Sequence, residues 1–279
     1  MKKEKTIDRM SVYNDQNQYL PSYNKLNIVV AQNKGGLGKT KCALALASIA
    51  RDQDFAYQMR VNTERFKVAL FSADPENMKT MVTQAGKPGD PYTTFALHNV
   101  NKREGVEDIL NVLEKHQDAD IVITDFRANA LKFFGQITED PEEYFTLAEE
   151  LGFKTVLVIP IDGQQDSFQG LEFALTTFGD KPIYVVAHRS TEAEPYNFTR
   201  SRTKEYFNLV NEMKNAGRSI IEWDTPQVSK LVLNAAEQHS LGEYDEALIK
   251  TGAIPIVNRS GLRKGKERYI TLFRELLTA

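Results

Sequence analysis

The densest chemistry in the chain lies in seven consecutive residues, Lys34-Gly35-Gly36-Leu37-Gly38-Lys39-Thr40. They stand between an apolar run, "LNIVVAQ", and a stretch that is uncharged after its first residue, "KCALALASIA". Strand, glycine turn, helix is the order that builds an anion cradle. Glycines let backbone N–H groups turn inward around phosphate oxygens, and the helix N-terminus adds its positive dipole. In such a loop Lys39 neutralises the charge of the β- and γ-phosphates, and the Thr40 hydroxyl ligates Mg2+. The strict spacing G-x-x-x-x-G-K-[ST] asks for glycine at position 33, where this chain has Asn33. Two more lysines, Lys34 and Lys41, exceed what a generic phosphate loop needs.

The remaining chemistry is sparser. Cys42 is the only cysteine, which excludes an intramolecular disulfide and any cysteine-based cluster or zinc site built from one chain. It reads as a small buried residue near a helix start. His98, His116 and His239 show no ligand spacing, whereas His188 closes an apolar run.

The elements that must position these groups alternate along the sequence. Apolar, β-branched runs begin at residues 26, 66, 120, 154, 182 and 219. Their near-continuous apolarity predicts strands buried on both faces, as in a parallel sheet. Helical patterns lie between or after them at 106–116, 142–152, 166–179, 202–217 and 261–277. Repeated βα units imply a doubly wound α/β fold, mostly parallel, with helices on both faces. Residues 26–279 are expected to form a single domain, preceded by a polar extension at 1–25.

Composition agrees with that class. Of 279 residues 41% are apolar and 26% charged, the profile of a globular chain long enough for a large core. A net charge of −3 argues against wholesale polyanion binding but leaves room for a local basic patch. The basic N-terminus is followed by no apolar segment of signal-peptide type, and no run approaches the ~20 apolar residues that span a bilayer. A cytoplasmic location is expected.

The loop KGGLGKT resembles the deviant phosphate loop, KGGxGKT, of the ParA/MinD family of ATPases, whose hallmark is the extra lysine. In order along the chain, "VALFSADPEN", "DADIVITDFRAN", "VLVIPIDGQQDSFQGLEFAL" and "VSKLVLNAAEQHSLGEYDE" are similar to further family motifs, so the resemblance spans about residues 26–279. It implies a P-loop fold that binds ATP and Mg2+ and dimerises around two ATP molecules. Lys34 would reach the partner's nucleotide, and Lys39 the chain's own. Asp74 matches the aspartate that positions the attacking water, with Ser72 in place of the motif's first aspartate. Asp125 matches the aspartate that holds Mg2+ through a water, followed here by Phe126-Arg127-Ala128 rather than prolines. Pro160, Ser167, Gly170 and Leu171 match the family's strand-and-loop "IPV…S…GL". His188-Arg189 and Asp224-Thr225-Pro226 correspond to the adenine pocket, with His188 and Pro226 as contacts. Lys41 replaces a hydroxyl that commonly meets the α-phosphate, so it must reach that phosphate by charge or turn to solvent.

The same resemblance implies a slow, partner-stimulated ATPase that positions DNA or another cargo, with an adaptor or other activator. Plasmid or chromosome maintenance is the first reading. Arg263, Lys264 and Lys266, in a late basic stretch, and Lys230 upstream of it are the candidate contacts to non-specific DNA, and a nucleoid-associated location would follow. No membrane-targeting helix is expected after "RYITLFRELLTA", and no helix-turn-helix domain before the ATPase. A weakly catalytic nucleotide-binding scaffold, a MinD-like positioning ATPase and an ATP-dependent metabolic ligase are the alternatives.

Overall fold

A computed structural model describes residues 25–59, 65–72, 93–97, 104–129, 131–132, 140, 142–190, 197–239, 241–250 and 252–279. Seven strands form one sheet, all neighbours parallel: β1 (Lys25–Val30), β2 (Val68–Ser72), β3 (Thr93–Leu97), β4 (Ile121–Asp125), β5 (Phe153–Ile161), β6 (Ile183–His188) and β7 (Ile220–Asp224). Their order is β3-β2-β4-β1-β5-β6-β7. Six of these are the apolar runs expected from sequence. The seventh, β3, was not foreseen, because its short "TTFAL" carries a weaker apolar signal.

The described helices are α1 (Lys39–Ala50), α2 (Gln53–Gln58), α3 (Glu104–Lys115), α4 (Glu143–Glu150), α5 (Gln165–Thr177), α6 (Lys204–Asn215), α7 (Lys230–Gln238), α8 (Glu246–Lys250) and α9 (Ile256–Thr278). Alternation along each strand sends its side chains to two separate cores. Leu26, Ile28 and Val30 of β1 pack with α1, α2, α7, α8 and α9. Val29 packs with α3, α4, α5 and α6 on the opposite face. The doubly wound architecture is therefore the expected one. Helix α1 is buried on nearly all sides, which is why its sequence is uncharged after Lys41 rather than amphipathic. Among the described residues no helix is long and apolar enough to cross a membrane.

Register decides where the site lies. Chain order reverses direction at β1, whose neighbours are β4 and β5, and the crevice at such a switch point is where open α/β sheets bind ligands. The last residue of β1, Val30, is level with Asp125 of β4, which is level with Ser72 of β2. The phosphate loop therefore leaves the sheet beside Asp125.

One expected surface residue belongs instead to the interior. Lys266 on α9 is buried, and its Nζ lies 2.9 Å from Oδ2 of Asp52, both side chains being about a tenth exposed (9% and 10%). This removes Lys266 from any DNA-contacting face: its charge is spent on tying α9 to the start of α2. Asp52 also accepts the Phe55 N–H at 3.0 Å, capping α2. Asp52→Ala is expected to cost about 3–5 kcal/mol, since it strands a buried ammonium. Asp52→Asn, which keeps the cap but not the charge, separates the two contributions in urea denaturation.

Candidate functional site

The turn between β1 and α1 is shaped by backbone that only glycine adopts easily. Gly36 and Gly38 have φ of 73° and 68°, in the left-handed region. Gly38 is also the N-cap of α1 and supplies no side-chain cap, and the first turn carries no acidic residue. Leading N–H groups of α1 thus lack a side-chain acceptor and face outward with the helix dipole behind them, as an anion site requires. Lys39 Nζ bends back over the loop to donate to the Lys34 carbonyl at 3.0 Å, close to where phosphates would lie.

Thr40 Oγ1 donates to Oδ2 of Asp125 at 2.7 Å. Two hard oxygen donors at this separation suit Mg2+, which takes one or two protein oxygens and completes its shell with phosphate and water. Among the described residues no group of three His, Cys, Asp or Glu side chains could hold a metal unaided. Thr40 and Asp125 would therefore hold the ion together with its nucleotide, where it would neutralise phosphate charge. Asp74 lies outside the described residues.

The departures from the strict loop pattern explain one another. The Asn33 carbonyl accepts the Asn129 N–H at 3.0 Å, and its Oδ1 accepts the Lys132 N–H at 3.3 Å. Asn129 has a φ of 66°, a conformation Asn tolerates better than other residues with a side chain. The base of the phosphate loop is thereby fastened to the segment that follows Asp125.

Lys34 sits at the rim. Its Nζ lies 2.9 Å from Oδ2 of Asp162, with both side chains 19% exposed, and it also donates to Oε1 of Gln164. Burial works against the Asp162 carboxylate. Bonds from Lys34, Ser167 and the Gln164 N–H outweigh it and hold that carboxyl below its ordinary range. Ser167 and Gly170 have clear tasks here. Ser167 Oγ donates to the Gln164 carbonyl at 2.8 Å and fixes the turn carrying Asp162. Gly170 makes room for Gln32, whose Nε2 donates to the carbonyls of Pro160 and Ser167 at 3.1 and 3.0 Å. A Cβ on Gly170 would fall 1.7 Å from Gln32 Oε1.

Beside the loop opens a cavity of about 400 Å³, within the range of small-ligand sites. Its wall includes Gly38, Lys41, Arg189, Thr225, Pro226, Lys230 and Glu243. Pro226 lines this cavity. Thr225 Oγ1 is buried without a hydrogen-bond partner, a group that a ligand could satisfy. His188, by contrast, is fully buried and turned away. Its Nδ1 is 2.7 Å from Ser201 Oγ and its Nε2 3.2 Å from Tyr206 OH. Burial, aided by Arg202, pushes the ring down to about 4, so it stays neutral and structural. The expected contact is corrected to its neighbour. Successive residues at a strand end point to opposite faces, so Arg189 enters the cavity and donates through Nη1 to the Leu37 carbonyl of the phosphate loop. The signal was available: alternation from Ala187, which also lines the cavity, selects Arg189.

Lys230 is at the cavity wall, at the start of α7, rather than on a remote basic face. Arg263 and Lys264 are exposed on α9.

A parallel sheet, a glycine turn joining its central strand to a helix, and a Thr–Asp oxygen pair beside that turn define a P-loop nucleotide-binding fold. In structure the chain is similar to the cell division protein MinD of Aquifex aeolicus, with 15% identity over 81% of this chain and 94% of that one and a TM-score of 0.43. It is also similar to McdA of Cyanothece, solved as an ATP complex, at 13% identity, 88% and 96% coverage and a TM-score of 0.43. A third likeness is FtsY of Mycoplasma mycoides, at 16% identity, 59% and 52% coverage and a TM-score of 0.38. No protein-family model and no curated relative matches the chain. All three likenesses are distant, and the reading of the site rests on its own geometry.

Gly170→Ala tests how that geometry is held. Displacing Gln32 is expected to lower stability by about 1–3 kcal/mol and to weaken nucleotide binding. Thermal denaturation and calorimetric titration with ADP read the two effects.

Proposed function

We propose that the chain is an ATP-driven dimerisation switch of the ParA/MinD type, a Mg2+-dependent ATPase that positions a cargo. The observation that carries this reading is the pairing of two differently placed lysines on one loop. Lys39 folds back inside the loop, whereas Lys34 stands at its rim on the partly exposed pair with Asp162 and Gln164. A lysine at the rim is free to exchange an intramolecular carboxylate for a phosphate brought by a second subunit, because both are charge-assisted contacts of similar kind.

In this reading Lys39 and the α1 N-terminus hold the β- and γ-phosphates, with Gly35, Gly36, Leu37 and Gly38 lending backbone N–H groups. Thr40 and Asp125 hold Mg2+, which stabilises the charge that develops on the phosphates. Asp74 orients the attacking water. The base enters the cavity walled by Pro226 and Arg189, with Thr225 Oγ1 available to it. Lys34 makes the site complete only in the dimer, so nucleotide state is converted into assembly state. Arg263 and Lys264, on the exposed face of α9, are the contacts proposed for non-specific DNA, in a cytoplasmic, nucleoid-associated setting with an adaptor that stimulates hydrolysis. Such contacts would weaken steeply with salt.

Sedimentation with and without ATP and Mg2+ tests the switch. The expected result is a dimer only with ATP, no nucleotide binding by Lys39→Ala, and ATP binding without dimerisation by Lys34→Ala. Dimerisation indifferent to ATP and unaltered by Lys34→Ala would sink the reading. Retention of ATP-bound protein on random duplex DNA is expected to fall several-fold in Arg263→Glu/Lys264→Glu. Equal retention would remove DNA as the cargo surface.

A further inference from the structure

The cavity beside the phosphate loop contains a charge that a site adjoining phosphates would be expected to avoid. Glu243, on the segment between α7 and α8, lines that cavity together with Gly38 and Lys41 of the α1 start and with Arg189. The segment is pinned there: Gly242 lies against Ser48 of α1 so closely that an added Cβ would fall 2.4 Å from its Oγ. Glu243 therefore has little freedom to withdraw when a ligand arrives. Lys41 is exposed on the first turn of α1 and lines the same cavity as Arg189, and the positive charge of each acts on Glu243. Lys41, which fits no generic loop pattern, thus has a local counterpart.

We propose that Glu243 sets the nucleotide affinity of this cavity as the counter-charge to Lys41 and Arg189, so that binding a nucleotide, with its base in the cavity and its phosphates at the Gly38–Lys41 wall, is coupled to taking up one proton on the Glu243 carboxyl. The inference rests on the reading that the nucleotide enters here. Burial pushes the Glu243 carboxyl up to about 7, with Lys41 and Arg189 pulling the other way. The other titratable groups of the wall stay silent near neutrality. Burial raises the Cys42 thiol to about 12 and lifts the Tyr269 hydroxyl well above its ordinary range, where Tyr244, Cys42 and Glu243 reinforce the rise and Arg189 opposes it. The remaining charges at the wall are the cations Lys41, Arg189 and Lys230.

The sign follows from like-charge repulsion. In the empty cavity Glu243 is about half ionised at neutral pH. A bound phosphate disfavours its charged form and raises its pKa further, so the complex holds the proton. Affinity must then fall as pH rises through 7. With the bound form fully protonated, the dissociation constant rises about five-fold from pH 7 to pH 8 and levels off below pH 6.

The test is calorimetric titration of ADP with Mg2+ into the full chain at pH 6, 7 and 8, in two buffers of different ionisation enthalpy. The wild type is expected to take up a proton on binding, beyond any ionisation of ADP itself. Glu243→Gln keeps the shape of the side chain and shares that ligand contribution; it is expected to bind about ten-fold more tightly than wild type at pH 8, with the extra slope gone. Lys41→Thr adds a second reading. It should weaken binding in the wild-type background more than in Glu243→Gln, because its cation offsets that carboxylate. Equal pH slopes in wild type and Glu243→Gln, or strictly additive effects of the two substitutions, overturn the proposal and leave the nucleotide reading standing. Absence of ADP binding by either protein at every pH overturns both.

Discussion

A phosphate cradle needs backbone N–H groups that the fold leaves without acceptors, and the rest of this structure depends on keeping them so. The first turn of a helix supplies such groups, but an ordinary N-cap side chain would consume one and an acidic first turn would repel the ligand. Here Gly38 caps α1 with no side chain, and no acid follows it. That arrangement leaves an exposed positive helix end with nothing local to stabilise it, so the surroundings must. Helix α1 is buried along nearly its whole length between the sheet and α9, which fixes its direction. Gln32, Asn33 and Arg189 then hold the loop through carbonyls and side chains, leaving the anion-facing N–H groups to the ligand.

The charge arrangement around the cradle follows a similar logic. Four cations approach it from different elements: Lys34 from the loop, Lys39 and Lys41 from α1, Arg189 from the end of β6. Unopposed, they would repel one another in the empty site. All four have counterparts within the chain. Lys34 meets Asp162, Lys39 and Arg189 meet loop carbonyls, and Lys41 faces Glu243. Each contact is one that phosphate oxygens could replace at small cost, since an ammonium or guanidinium exchanges one oxygen partner for another. The unliganded site is thus stable without being closed to its ligand.

Comparison of expectation with structure shows where residue pattern is informative. Buried parallel strands announce themselves by continuous apolarity, and six of the seven were legible; β3, whose "TTFAL" carries little of it, was not. The phosphate loop was legible because glycine, lysine and threonine are each required there by local chemistry. The Thr40–Asp125 pair was legible in part: the residue types pointed to it, but the 2.7 Å contact exists because Val30 and Asp125 share a register. His188 and Lys266 were misread for one reason. A histidine at a strand end and a lysine in a basic run look available in sequence, whereas their exposure is set by what packs over them, Tyr206 and Ser201 in one case and Asp52 in the other.

What the sequence determined by itself is everything that depends on near neighbours: the alternation of strand and helix, the glycine turn at residues 35–38, and the placing of Lys39 and Thr40 at the start of the helix that follows it. Only the tertiary structure decided which distant groups answer them. Asp162 is 128 positions from Lys34, Arg189 is 152 from Leu37, and Lys266 is 214 from Asp52. Nothing in local spacing encodes such pairs, because they arise from strand order and from the face each strand end presents. The extra lysines show the division clearly. Their presence was plain in eight letters of sequence, but their surroundings became distinct only when the fold set Asp162 beside one and brought Glu243 into the cavity that the other lines.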